Sequence, residues 1–132
     1  MKKLVSLFAF LMVGVLLLSS CQEKDPSVGK VFVRNYNNQL ISDATVIIVG
    51  DKDSDPATPS YTDTLTTNAS GFAAFDLSSL FERYDKEAEK VAYFDVLVKY
   101  EDKEVWSDES QNQKQLKARQ HITQVITVYL PE

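Results

Sequence analysis

From Tyr93 to Tyr100 the chain alternates: Phe94, Val96, Val98 and Tyr100 fall on one side, Asp95 and Lys99 on the other. A repeat of two puts successive side chains on opposite faces of an extended strand, so this segment reads as a strand with one face in a core and one in water. Such a strand cannot bury its apolar face alone; it needs neighbours in a sheet and a second layer packed on that sheet. Cys21 is the only cysteine, so no disulfide within the chain can stand in for the core. The fold has to be held by apolar packing between layers.

The rest of the chain supplies the other strands. Lys30 to Asn35 reads as a first strand, ended by Tyr36-Asn37-Asn38-Gln39. Ala44 to Val49 is β-branched and apolar on both faces, the pattern of a central strand covered on both sides. Ser60 to Thr67 is threonine-rich, and Asn68-Ala69-Ser70-Gly71 is a turn signal leading into Phe72 to Leu77. Glu101-Asp102-Lys103 turns Tyr93–Tyr100 into a strand from Glu104 to Ser107. His121 to Leu130 closes the chain, with Ile122, Ile126, Val128 and Leu130 on one face. About seven strands in roughly 100 residues predict a single all-β antiparallel sandwich. Its predicted core is Val46, Ile48, Phe75, Phe94, Val96, Val98, Ile126 and Val128.

One short helix interrupts the strands. Ser79 is placed to cap it, with Glu82 at capping-box spacing, and Leu80, Phe81 and Tyr84 form its apolar side. The predicted span is about Leu80 to Glu89. Residues 108–120 are polar and mixed in charge, which predicts a loop or an irregular edge strand.

The first 21 residues follow a different grammar. Lys2 and Lys3 precede an uncharged apolar run from Leu4 to Leu18, and Leu18-Ser19-Ser20-Cys21 ends it. The run of 15 residues is short for a membrane span, which takes about 20. Leu18-Ser19-Ser20-Cys21 resembles the lipobox of bacterial lipoproteins. The resemblance implies removal of residues 1–20, a diacylglycerol on the Cys21 thiol, and a protein anchored in the cell envelope. Residues 21–28 then read as a lipidated tether and 29–132 as the domain. Gln22 stands where an inner-membrane retention aspartate would be, and Glu23 and Asp25, interrupted by Lys24, partly match the acidic cluster that marks surface export. The expected site is therefore the outer membrane, on its periplasmic face or at the cell surface.

Without the leader, 12 Lys and Arg face 19 Asp and Glu, a side-chain balance of −7. A surface of that sign repels phosphate backbones and excludes nucleic acid as a partner. It adheres equally poorly to anionic lipid, so attachment to the membrane must come from the acyl chains.

Two segments narrow the fold. Val33-Arg34-Asn35 through Ile41-Ser42-Asp43-Ala44-Thr45-Val46, followed by Thr66-Thr67-Asn68-Ala69-Ser70-Gly71-Phe72-Ala73-Ala74-Phe75, is similar to transthyretin-like or carboxypeptidase-regulatory-like sandwich modules of bacterial surface proteins. The resemblance covers residues 30–77. It implies an Ig-like or transthyretin-like sandwich and says little about activity.

Catalytic and metal-binding patterns find little material. His121 is the only histidine, too few for Ser-His or Cys-His catalysis or a histidine-rich metal centre. The enzymes with related sandwiches need more: hydroxyisourate hydrolase has several histidines and a Tyr-Arg-Gly-Ser terminus, and intradiol dioxygenases bind iron through two histidines. This chain ends Val128-Tyr129-Leu130-Pro131-Glu132. Asp51, Asp53 and Asp55 alternate as calcium ligands do, but Pro56 and Thr62 occupy the positions where an EF-hand needs Gly and Glu. That run therefore reads as a solvated loop. Trp106, the sole tryptophan, is the candidate for contact with a partner, because aromatic side chains form sugar platforms and interface anchors. The expected function is non-enzymatic: a binding or accessory module for an envelope protein or a glycan, with no cofactor. The alternatives are a structural subunit of an envelope or fimbria-like assembly, and a hydrolase built on carboxylates.

Overall fold

In the computed structural model, residues 24–109 and 115–132 are described; the apolar leader and Cys21 lie outside them. The first strand, β1 (Val28–Arg34), sits between β4 (Phe72–Asp76) and β8 (Thr123–Tyr129) in a three-stranded sheet. The second sheet has the order β3 (Thr62–Thr66), β2 (Thr45–Gly50), β5 (Val91–Tyr100) and β6 (Lys103–Trp106). A fifth strand in that sheet, β7 (Leu116–Arg119), pairs with the first half of β5, while β6 pairs with its second half. The two sheets stack as a β-sandwich. Its eight strands are one more than the sequence pattern predicts, and the additional one is β7, in the segment read as loop or irregular edge. Only Leu116 and Ala118 in β7 point into the core, too short a repeat to mark a strand.

The pattern of alternation decides the layers. Val46, Ile48, Phe75, Phe94, Val96, Val98, Ile126 and Val128 are all 0–1% exposed and form one cluster with Leu77, Leu80, Phe81 and Leu116. Ile122 departs from expectation: it is 46% exposed, because His121 has φ 60 and β8 begins only at Thr123. β2 departs too. Val46 and Ile48 are buried, but Ile47 and Val49 are only half-buried on an outer face that no second layer covers.

Antiparallel pairing is broken once, where β1 and β8 run parallel. Geometry forces this. β1 rises from the end of the sandwich that holds Ser27, here called the lower rim. β7 descends along β5 to that rim, so β8 has to rise beside β1.

The helix, α1, is a single turn, Ser78–Phe81, rather than the longer one predicted to Glu89. Its N-cap is Leu77, with no side-chain cap, so Ser79 does not cap it. The Ser78 N–H instead donates to Asp76 Oδ1 at 3.0 Å. Beyond Phe81 only Tyr84 is partly buried before Lys90, so there is no apolar stripe to hold further turns.

The domain also begins earlier than Gly29. Ser27 is 1% exposed, its carbonyl accepts from the Leu77 N–H at 2.8 Å, and its hydroxyl accepts from the His121 N–H at 2.8 Å. Gly71 behaves as its turn requires: its φ is +77, and a Cβ there would lie 2.7 Å from Leu40 Cβ.

Candidate functional site

The outer face of the five-stranded sheet carries the most distinctive group of side chains. Register places Thr64, Ile47, Leu97 and Trp106 in one row across β3, β2, β5 and β6. The row is apolar from its second member to the sheet edge. Leu97 faces outward yet is only 7% exposed, while its cross-strand partner Trp106 is 37% exposed. An indole at a sheet edge, half in water and backed by aliphatic side chains, is suited to stacking on an incoming group.

Beside Trp106 the edge of β5 changes partner. β6 pairs as far down as Leu97 and β7 pairs as far up as Phe94, so Asp95 and Val96 face a break. The Ser107 hydroxyl closes part of it by accepting from the Val96 N–H at 3.1 Å. What remains open is a cavity of about 300 Å³ lined by Asp95, Trp106 and Asp108.

Gln115 ties this break to the loop after β2. Its Nε2 donates to Asp51 Oδ2 at 2.9 Å and to Asp95 Oδ1 at 3.0 Å, using both amide protons on two carboxylates. The Gln115 amide and then the Asp53 N–H hold the Asp51 carboxyl below the usual carboxylate range, against a smaller opposing effect of burial. Asp51 is itself fixed to β5, its N–H donating to the Tyr93 carbonyl at 2.9 Å. Behind it the loop is cross-linked by Ser54 and Thr58: the Thr58 N–H donates to Ser54 Oγ at 3.2 Å, and the Tyr93 N–H donates to Thr58 Oγ1 at 2.8 Å.

The arrangement offers hydrogen-bond acceptors and negative charge next to an aromatic face. It suits a sugar ring, whose hydroxyls donate to carboxylates, or a basic side chain laid over the indole. A general acid working near neutrality needs its pKa raised, and Asp51 is shifted the other way.

Of the residues singled out from sequence, Trp106 lines the cavity and Asp51 lies at its margin through Gln115. Asp53 and Asp55 are exposed on the loop and do not join them. Among the described residues, no group of three or more His, Cys, Asp or Glu is arranged to hold a metal ion. Asp95 was legible as an outward charge on β5. Gln115 and Asp108 were not, because they lie in a polar stretch with no period to place them, and Ser107, read as the end of a strand, instead follows β6 in a turn. His121 lies at the lower rim, where its Nδ1 meets the Asp25 carbonyl at 2.7 Å.

The outer face of the three-stranded sheet is a weaker candidate. Its aromatic pair, Phe32 and Phe72 at 5.3 Å, is already covered by Lys30, whose Nζ lies 3.9 Å from the Phe72 centroid.

No protein-family model matches this chain, and no curated protein matches it.

Proposed function

We propose that this protein is a lipid-anchored, non-enzymatic module of the bacterial cell envelope that binds an envelope protein or a glycan through the Trp106 face. The observation that carries the reading is the half-exposed indole beside Asp95 and Asp108 at an open break in the sheet. The anchor rests on the lipobox resemblance at Cys21 and on the short apolar leader before it.

At the β3 edge, a strand-accepting structural subunit is supported less well. The edge strand β3 is five residues long, and Asp63 lies opposite the buried Ile48, on the inward side. Short edges with inward charges oppose the addition of another strand.

The test is capture of an envelope protein or glycan by the anchored protein. Trp106→Ala should weaken capture by about 30-fold or more, the equivalent of the roughly 2 kcal/mol typical of an aromatic anchor. Unchanged capture by a folded Trp106→Ala variant would remove Trp106 from the contact. Cys21→Ala should abolish labelling by a fatty-acid analogue, and equal labelling of both proteins would refute the anchor.

A further inference from the structure

We infer that the lower rim of the sandwich, with Pro26 and Ile122 at its contact point, rests on the surface of the lipid bilayer. The inference depends on the proposed lipid anchor at Cys21 and adds to it an orientation and a contact surface.

The first observation is how early the chain is fixed. The His121 ring meets the Asp25 carbonyl at 2.7 Å, and the His121 N–H donates to Ser27 Oγ at 2.8 Å. The Ser27 N–H reaches Ser78 Oγ at 3.3 Å, and the Val28 N–H donates to the Ile122 carbonyl at 3.1 Å. From Asp25 onward the backbone therefore belongs to the rigid body. Whatever conformation the intervening residues take, four steps separate Asp25 from Cys21, a reach of at most about 14 Å. The headgroup layer occupies roughly 5–8 Å of that. A body of about 100 residues has a radius of gyration of about 13 Å, so a tether of this length cannot hold it clear of the membrane or let it turn over.

The second observation is what the rim presents at that point. Pro26 is exposed and Ile122 is 46% exposed, an apolar pair flanking the buried Ser27. Arg119, opposite Val91, lies on the same rim, but so do Asp25 and the loop after β2 with Asp51, Lys52, Asp53 and Asp55. The neighbouring segment 82–90 carries four acidic and three basic side chains. Net charge thus does not draw the rim down; the short tether does, and the apolar pair makes the contact favourable.

The orientation has a consequence for the Trp106 face. Leu97, the partner of Trp106, lies six residues up β5 from Val91 at the lower rim. At about 3.3 Å per residue that is roughly 20 Å above the rim. The indole stays clear of the headgroups and is approached from the side, while Tyr36 and Leu40 stand at the far end.

The test uses the full-length, lipidated protein in vesicles of phosphatidylethanolamine and phosphatidylglycerol. Because the Cys21 thiol is consumed by the lipid, Ile122→Cys or Tyr36→Cys provides a single thiol for an environment-sensitive fluorophore. A quencher carried on the lipid should quench the label at position 122 several-fold more than that at 36. Inserting ten Gly and Ser residues between Gln22 and Glu23 should bring the two signals together. Equal quenching at 122 and 36 in lipidated protein without the insertion would overturn the orientation and leave the anchor standing. Absence of fatty acid on Cys21 would overturn the anchor and the orientation together.

Discussion

Replacing Thr67 by Val should destabilise the sandwich by about 1–3 kcal/mol, although the two side chains have nearly the same volume. Thr67 is 2% exposed and sits where the chain leaves β3 for β4, against the crossing from β1 to β2. Its hydroxyl accepts from the Ala44 N–H at 2.9 Å and donates to the Ile41 carbonyl at 2.8 Å. The backbone of Thr67 is held on both sides as well, donating to the Ala44 carbonyl at 2.8 Å and accepting from the Asp43 N–H at 3.0 Å. Val keeps the packing but strands the N–H of Ala44, a residue that is 0% exposed. Ile41 is only half-buried, so water can replace the lost donor at its carbonyl. The cost is therefore that of one buried unsatisfied amide. Thr67→Ser makes the opposite change: it retains the hydroxyl and loses one methyl, about 0.8 kcal/mol. Urea unfolding followed by circular dichroism separates the two. With a slope of about 2 kcal/mol per molar, a 2 kcal/mol loss lowers the midpoint by about 1 M. A Val variant within about 0.5 kcal/mol of the native protein, or a Ser variant that loses more than Val, would refute the reasoning.

Phe75→Ala should cost about 3–5 kcal/mol in the same assay, because the ring is 0% exposed between the sheets; an unchanged midpoint would contradict its burial. Burial raises the phenol pKa of Tyr61, with Asp63 and then Asp76 adding to the shift, and burial likewise raises that of Tyr84. A folded pKa above the unfolded value of about 10 gives stability that is complete below pH 10 and lost as pH rises through the folded pKa. Phenolate absorbance should therefore show a late-ionising fraction that shrinks in Tyr61→Phe and in Tyr84→Phe, and coincident titration of all six tyrosines would refute it.

Period and composition were enough to find the core. All eight residues expected there are buried, because a period of two in β-branched and aromatic residues has one physical outcome once a second layer exists. Strand order was not legible, since alternation says which face a residue takes and not which strand lies beside it. The parallel β1–β8 pair and the placement of β7 follow only from the path in three dimensions. The helix is shorter than its capping spacing predicts, because such spacing marks where a helix can start and the residues after Phe81 lack the apolar stripe that would prolong it. At the candidate site, Trp106 stood out by residue type and Asp95 by breaking an apolar pattern. Gln115 gave no local signal, as its role consists of two contacts with residues 64 and 20 positions away.

The composition of the outer sheet face separates what the sandwich requires from what it does not. On β3, the positions facing outward are Thr62, Thr64 and Thr66, exposed side chains that satisfy strand propensity without creating an apolar surface. The same face one strand over carries Ile47 and Val49, then Leu97, and at the edge Trp106. The buried face of these strands already supplies Val46, Ile48, Val96 and Val98 to the core, so folding does not demand hydrophobes on both sides. An apolar row ending in a half-exposed indole adds a liability to a small domain unless something covers it. The acidic groups beside it limit that liability. Gln115 holds Asp51 and Asp95 in place, and its amide favours the charged form of Asp51. In the proposed binding role, the charge selects for donors or cations in a partner. On the proposed reading, the lock between Asp25, Ser27 and His121 completes the arrangement by fixing this face to the side of a membrane-seated body, where a partner in the envelope can reach it.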